Sequence, residues 1–216
     1  MQSNPKLKKE DLIGLCMDFF EAGGETVGST LSWVFLYFAL YPETQEKCFK
    51  EIEDVLGSTV PGLDDRTKLP YTEATIMEIQ RLSCVAPGGL EHKAMHNTKL
   101  QGYDIPEGTM LFYNIFKFHH DPDVWEDPEI FRPERFLSED GAKVVKKEQF
   151  IPFGFGKRVC MGESLAKAEL LIFTVMLLQR LKISAPKDRK RPDPQDSEAG
   201  ITRAPKSFYV HVDIRT

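Results

Sequence analysis

The decapeptide Phe153-Gly154-Phe155-Gly156-Lys157-Arg158-Val159-Cys160-Met161-Gly162 restricts the possible folds more than any other stretch. Gly154 and Gly156 allow left-handed turns and let the backbone approach a bulky partner with no Cβ in the way. An apolar helical pattern follows at once, which sets Cys160 just ahead of a helix N-terminus. Free N–H groups and the positive end of the helix dipole favour an anionic sulfur there. A zinc centre does not fit, because Cys160 has no CxxC partner and the nearest other cysteine, Cys84, lies in a different segment.

A single thiolate on a glycine-rich bend suits one axial position of a haem iron, and Arg158 is spaced to reach a haem propionate. The competing reading is a buried structural thiol beside an ordinary turn, the commoner fate of a cysteine. The decapeptide resembles the FxxGxRxCxG signature of the cytochrome P450 haem-thiolate monooxygenases, filled here at Phe153, Gly156, Arg158, Cys160 and Gly162. That resemblance implies haem with Cys160 as its axial ligand, and Arg158, Phe153, Gly154 and Gly162 as further cofactor-binding positions.

Upstream, Lys8 to Tyr41 has apolar residues near helical period until Pro42 stops it, and its middle is unusual. Ala22-Gly23-Gly24-Glu25-Thr26 places two glycines, an acid and a hydroxyl in a helix interior, at about 1 kcal/mol per glycine. Small residues admit a flat ligand beside the helix, and Thr26 could lift its hydroxyl from the backbone pattern to hold a water next to Glu25. Taken alone, the stretch reads rather as a packing notch for another helix. It resembles the family's oxygen-activation motif, with Val27 in place of the commoner second hydroxyl, which implies Glu25 and Thr26 as catalytic proton carriers.

Further segments follow in the family's order. Helical patterns span Glu43 to Leu56 and Tyr71 to Ser83, separated by a stretch to Leu69 that reads as loop. The second pattern sets Glu78 and Arg81 on one helix face. Pro133-Glu134-Arg135-Phe136 resembles the PERF segment, whose arginine is implied to join that pair in a buried structural network. Leu90 to Asn114 alternates like short hairpins. His92 stands where the family places a propionate-binding arginine or histidine, with Glu91 in place of the usual preceding proline, and Val85 to Leu90 would border the cofactor and substrate. His119-His120-Asp121-Pro122-Asp123-Val124-Trp125 resembles the family's HxDPxxW turn and is assigned no metal. Met161 to Leu181 reads as a helix, Ala199 to Thr202 resembles a turn that reaches the substrate pocket, and Phe208 to Ile214 alternates as an edge strand. Cys16, Cys48 and Cys84 read as packing residues.

The expected fold is mainly α with small β-sheets, the C-terminal haem-binding portion of a cytochrome P450, with residues 1–216 as one partial domain. A net charge of −5 without interleaved basic and aromatic residues excludes a nucleic-acid-binding surface. The longest apolar run, Thr30 to Tyr41, is too short to span a bilayer. By resemblance to microsomal, family-two-like arthropod members, the expected location is the cytosolic face of the endoplasmic reticulum membrane, held by an N-terminal anchor outside this sequence. The implied partners are NADPH-cytochrome P450 reductase and a small apolar substrate, and lysines and arginines from Lys146 to Arg191 could offer the reductase a basic face. A second expectation is a truncated, non-catalytic fragment that binds haem weakly or not at all.

Overall fold

The computed structural model describes residues 8–215. Helix α1 runs unbroken over Lys9–Leu40, so the glycine pair at Gly23 and Gly24 does not end it. Its first turn is capped by the Asp11 carboxylate, which accepts the Lys8 N–H at 2.9 Å. Pro42 then opens α2 (Pro42–Leu56) at the first helical position, where its missing N–H costs nothing. Gly57, with φ of +56°, ends α2.

Burial divides α1 in two. From Val27 onward its apolar face is covered, with Trp33, Val34, Leu36 and Phe38 in the core. The earlier residues Leu12, Ile13, Leu15, Met17, Phe19 and Phe20 are exposed. Against the covered half pack Cys48 and Ile52 of α2, Ile76, Ile79 and Leu82 of α3 (Pro70–Ser83), and Leu170, Leu171, Val175 and Leu178 of α5 (Glu163–Arg180). Gln45 ties the layers together inside this core. Its amide donates to the carbonyls of Phe38 (3.0 Å) and Ile183 (2.7 Å) and accepts the Ile183 N–H at 2.8 Å. A buried amide is tolerable when satisfied in this way.

The strands form four antiparallel pairs among the described residues. β1 (His92–Lys93) pairs with β4 (Met110–Leu111), β2 (Thr98–Leu100) with β3 (Tyr103–Ile105), β5 (Leu181–Ser184) with β8 (His211–Ile214), and β6 (Ser197–Ala199) with β7 (Arg203–Pro205). The result is the expected helical body with small sheets. Three local elements differ from expectation, the first being the last strand, which begins at His211 and not at Phe208. Leu63–Lys68, expected as loop, is a 3-10 helix whose entry is fixed by the Gly62 N–H donating to Asp65 at 2.8 Å. Ile115–His119 forms a short helix, α4, because the Asn114 side chain accepts the Lys117 N–H at 2.8 Å and caps its start.

Candidate cofactor site

The cysteine segment is closed on itself before α5 begins. The Cys160 N–H donates to the Phe153 carbonyl at 2.9 Å, the Gly154 N–H to the Ile151 carbonyl at 3.0 Å, and residues Gly156–Arg158 make a 3-10 turn between them. The Glu163 N–H, the first of α5, points back to the Cys160 carbonyl at 3.3 Å. Cys160 itself is exposed, which removes the reading of a buried structural thiol. Cys48 and Cys84 behave in the opposite way: burial pushes each thiol up to about 12, so both stay protonated and serve as packing groups. Cys16 departs from expectation, since it lies exposed on the uncovered half of α1.

Tyr113 joins the cysteine segment to the strand that carries His92. Its ring meets His92 edge-on at 5.3 Å and lies 5.3 Å from the ring of Phe155. Two glycines make room for it. A Cβ on Gly89 (φ +59°) would stand 2.7 Å from the Tyr113 ring, and one on Gly154 (φ +77°) would stand 3.1 Å from its hydroxyl. Both positions therefore disfavour side chains by their left-handed backbone, and Gly89 excludes one by space as well. Arg158 is exposed and makes no hydrogen bond or ion pair among the described residues, whereas Phe153 lies under the Lys167 ammonium at 5.5 Å.

On α1 the arrangement differs from the expected one. The Thr26 hydroxyl donates to the Ala22 carbonyl at 2.8 Å, so it follows the backbone pattern instead of lifting out of it. A threonine in an intact helix satisfies its hydroxyl on the carbonyl four residues back, and α1 stays intact here. The Glu25 carboxylate accepts a hydrogen bond from the Thr202 hydroxyl in the turn between β6 and β7. Beside them, Gly23 and Gly24 face open space.

A buried polar network supports the cysteine segment from below. Glu78 and Arg81 are fully buried, with Arg81 Nε and Nη2 donating to the two carboxylate oxygens at 2.8 and 2.9 Å. Arg135 Nε and the Arg132 N–H add bonds of 2.9 and 3.0 Å to the same carboxylate. The remaining Arg135 nitrogens are taken by the carbonyls of Glu126, Asp127 and Ile130. Arg81 Nη1 reaches the His119 carbonyl at 2.7 Å. The His119 ring stacks on Phe150, and burial followed by the nearby Arg81 charge lowers its pKa to about 3, so it is a neutral core residue. Sequence reasoning missed Tyr113 and Arg203 and placed His119 and Thr202 only in turns, because no periodicity or spacing signals a contact between distant segments.

An exposed sulfur, an uncommitted guanidinium and a half-buried imidazole suit a flat macrocycle that carries iron and carboxylates. Helical body and small sheets define an α+β protein that presents one thiol, Cys160, on a glycine-rich bend. A model of the family "Cytochrome P450" matches residues 1–212, and the chain belongs to that family. It is 46% identical over 214 residues to human cytochrome P450 2U1, covering 99% of this chain and 39% of that protein. It is 41% identical over 202 residues to farnesoate epoxidase of Bombyx mori, covering 93% of this chain and 40% of that protein. It is 41% identical over 209 residues to mouse cytochrome P450 2B9, covering 96% and 42%. The chain thus spans about two fifths of the length of these relatives.

Proposed function

We propose that this chain forms the thiolate-bearing part of a haem-dependent monooxygenase that places one oxygen atom in a small apolar substrate. The observation that carries the reading is Cys160, an exposed sulfur at the end of a self-closed glycine bend, in a chain whose Cys48 and Cys84 are locked in the core. Haem bound there would supply reductive activation of dioxygen. Cys160 supplies the sulfur ligand, with Gly162 and Phe153 framing it. Arg158 and His92 would bind its carboxylates, and the Tyr113 ring keeps His92 in register with the cysteine segment. Gly154 keeps the bend close to that ring.

Glu25 and Thr26 carry protons at the α1 face of the site. Thr26 begins from a hydroxyl bonded to Ala22, so its part in holding a water requires that bond to be exchanged. Electrons come from NADPH-cytochrome P450 reductase, and the working place is the cytosolic face of the endoplasmic reticulum. The family of the relatives supports both statements. Among the described residues no helix is long and apolar enough to cross a membrane.

One observation favours a second reading, a non-catalytic chain with weak haem binding: the apolar face of α1 from Leu12 to Phe20 is uncovered. The two are separated by loading the chain with haem, adding reductase, NADPH and an apolar test substrate, and measuring haem per chain and product. One haem per chain with oxygenated product supports the monooxygenase. Substoichiometric haem without product supports the second reading.

A further inference from the structure

The turn between β6 and β7 is fixed from several sides by a residue that no motif marks. Arg203 is 8% exposed, yet its guanidinium pairs with no carboxylate among the described residues. It donates instead to the carbonyls of Leu82 (3.2 Å), Ser83 (2.6 Å) and Pro194 (3.2 Å) and to the Ser197 hydroxyl (3.0 Å). The carbonyls of Leu82 and Ser83 end α3, where the helix dipole favours a cation. The guanidinium also lies 4.6 Å over the Trp33 ring of α1 and 5.3 Å over Phe116. The main chain is held as well, with the Arg203 N–H on the Val85 carbonyl (2.8 Å), the Trp33 indole N–H on the Arg203 carbonyl (3.2 Å), and the Gly200 N–H on the Thr202 carbonyl (2.8 Å).

Thr202 therefore has little freedom in its backbone, and its hydroxyl is spent on Glu25. We propose that Thr202 is a positioning residue: anchored through Arg203, it holds the Glu25 carboxylate and so sets where the acid on α1 stands. The inference rests on the reading of Glu25 as a proton carrier for its consequence in turnover, but the contact itself can be tested without haem. When the Thr202 hydroxyl is lost, Glu25 swings free, proton delivery loses its register, and reducing equivalents pass to peroxide.

Two measurements test this. In the haem-free chain, hydrogen exchange at the Gly200 amide should rise roughly two- to tenfold in Thr202→Val and in Glu25→Ala, the range one net hydrogen bond allows. It should rise no further in the double variant and should stay at the parent rate in Thr202→Ser. An unchanged rate in Thr202→Val, or fully multiplicative effects in the double variant, overturns the contact. In the haem-loaded chain with reductase, Thr202→Val should raise the peroxide fraction of NADPH consumption and Thr202→Ser should restore it. A peroxide fraction that does not move in Thr202→Val overturns the positioning role. If the parent chain fails to give a thiolate spectrum while the exchange cycle behaves as described, the monooxygenase reading fails and the hold of Thr202 on Glu25 stands.

Discussion

The His119 ring accepts the backbone N–H of Ile151 at Nε2, 3.1 Å away, so the cysteine segment starts from a buried imidazole. The same residue gives its carbonyl to Arg81, which in turn grips Glu78. One histidine thus links the buried charge network to the irregular segment that leads into Phe153 and Cys160. Accepting at Nε2 places the ring proton on Nδ1, which has no partner among the described residues.

A pH dependence follows. The folded-state pKa of His119 is lowered to about 3, mainly by burial and next by the Arg81 charge, while an unfolded histidine titrates near the ordinary value of 6.5. The unfolded chain therefore binds the extra proton between these values. Its contribution to stability is complete above pH 6.5 and falls by about 1.4 kcal/mol per unit as pH drops toward 3. Urea unfolding from pH 7 to 4 should show this slope, and His119→Gln should flatten it while lowering stability throughout. An equal slope in parent and variant would assign the acid sensitivity elsewhere.

Glu78 is the one carboxylate that Arg81 and Arg135 share, so its removal leaves two buried guanidinium charges uncompensated. Glu78→Ala should cost about 3–5 kcal/mol, far more than loss of an exposed ion-pair partner. Thermal melts of Glu78→Ala and of Lys99→Ala, whose pair with Asp104 is exposed, make the comparison. Similar melting temperatures would show that the network is not the anchor it looks to be.

The Tyr113 ring makes Gly89 irreplaceable. Gly89→Ala should cost about 1–3 kcal/mol by overpacking, because its Cβ would come within 2.7 Å of that ring. In a Tyr113→Ala background the penalty should shrink to that of the left-handed backbone alone, about 1–2 kcal/mol or less. A penalty that is the same in both backgrounds would remove Tyr113 as its cause.

The uncovered half of α1 should drive self-association. Phe20 is 84% exposed within a run of apolar neighbours, and patches of this kind mark contact surfaces or aggregation sites. Phe20→Glu should lower the concentration-dependent mass seen in sedimentation without loss of melting temperature. No change in mass would mean that this face does not mediate contacts between chains.

Much of the helical body was legible because its signals are local. Pro42 and Gly57 punctuate α1 and α2, and the 3.6-residue period of α1 is visible despite Gly23 and Gly24. The cysteine bend was legible through glycine spacing, and the pairing of Glu78 with Arg81 through their places on one face of α3. What escaped were contacts set by tertiary packing. No rule of periodicity brings Thr202 to Glu25 across 177 positions, or Arg203 to the end of α3. The Thr26 hydroxyl, expected to lift out of the backbone pattern, lies on the Ala22 carbonyl, the acceptor that an intact helix offers four residues back. His119 was read as part of a turn, since its role depends on Ile151 and Arg81 arriving from two other segments.

The central claim is that the Cys160 sulfur ligates a haem iron, and the ferrous carbon monoxide spectrum of haem-loaded chain tests it most directly. The parent should give the strongly red-shifted Soret band of a thiolate-ligated haem, and Cys160→Ser should lose that band while Cys16→Ser, also at an exposed thiol, keeps it. A red-shifted band that survives in Cys160→Ser would contradict the account.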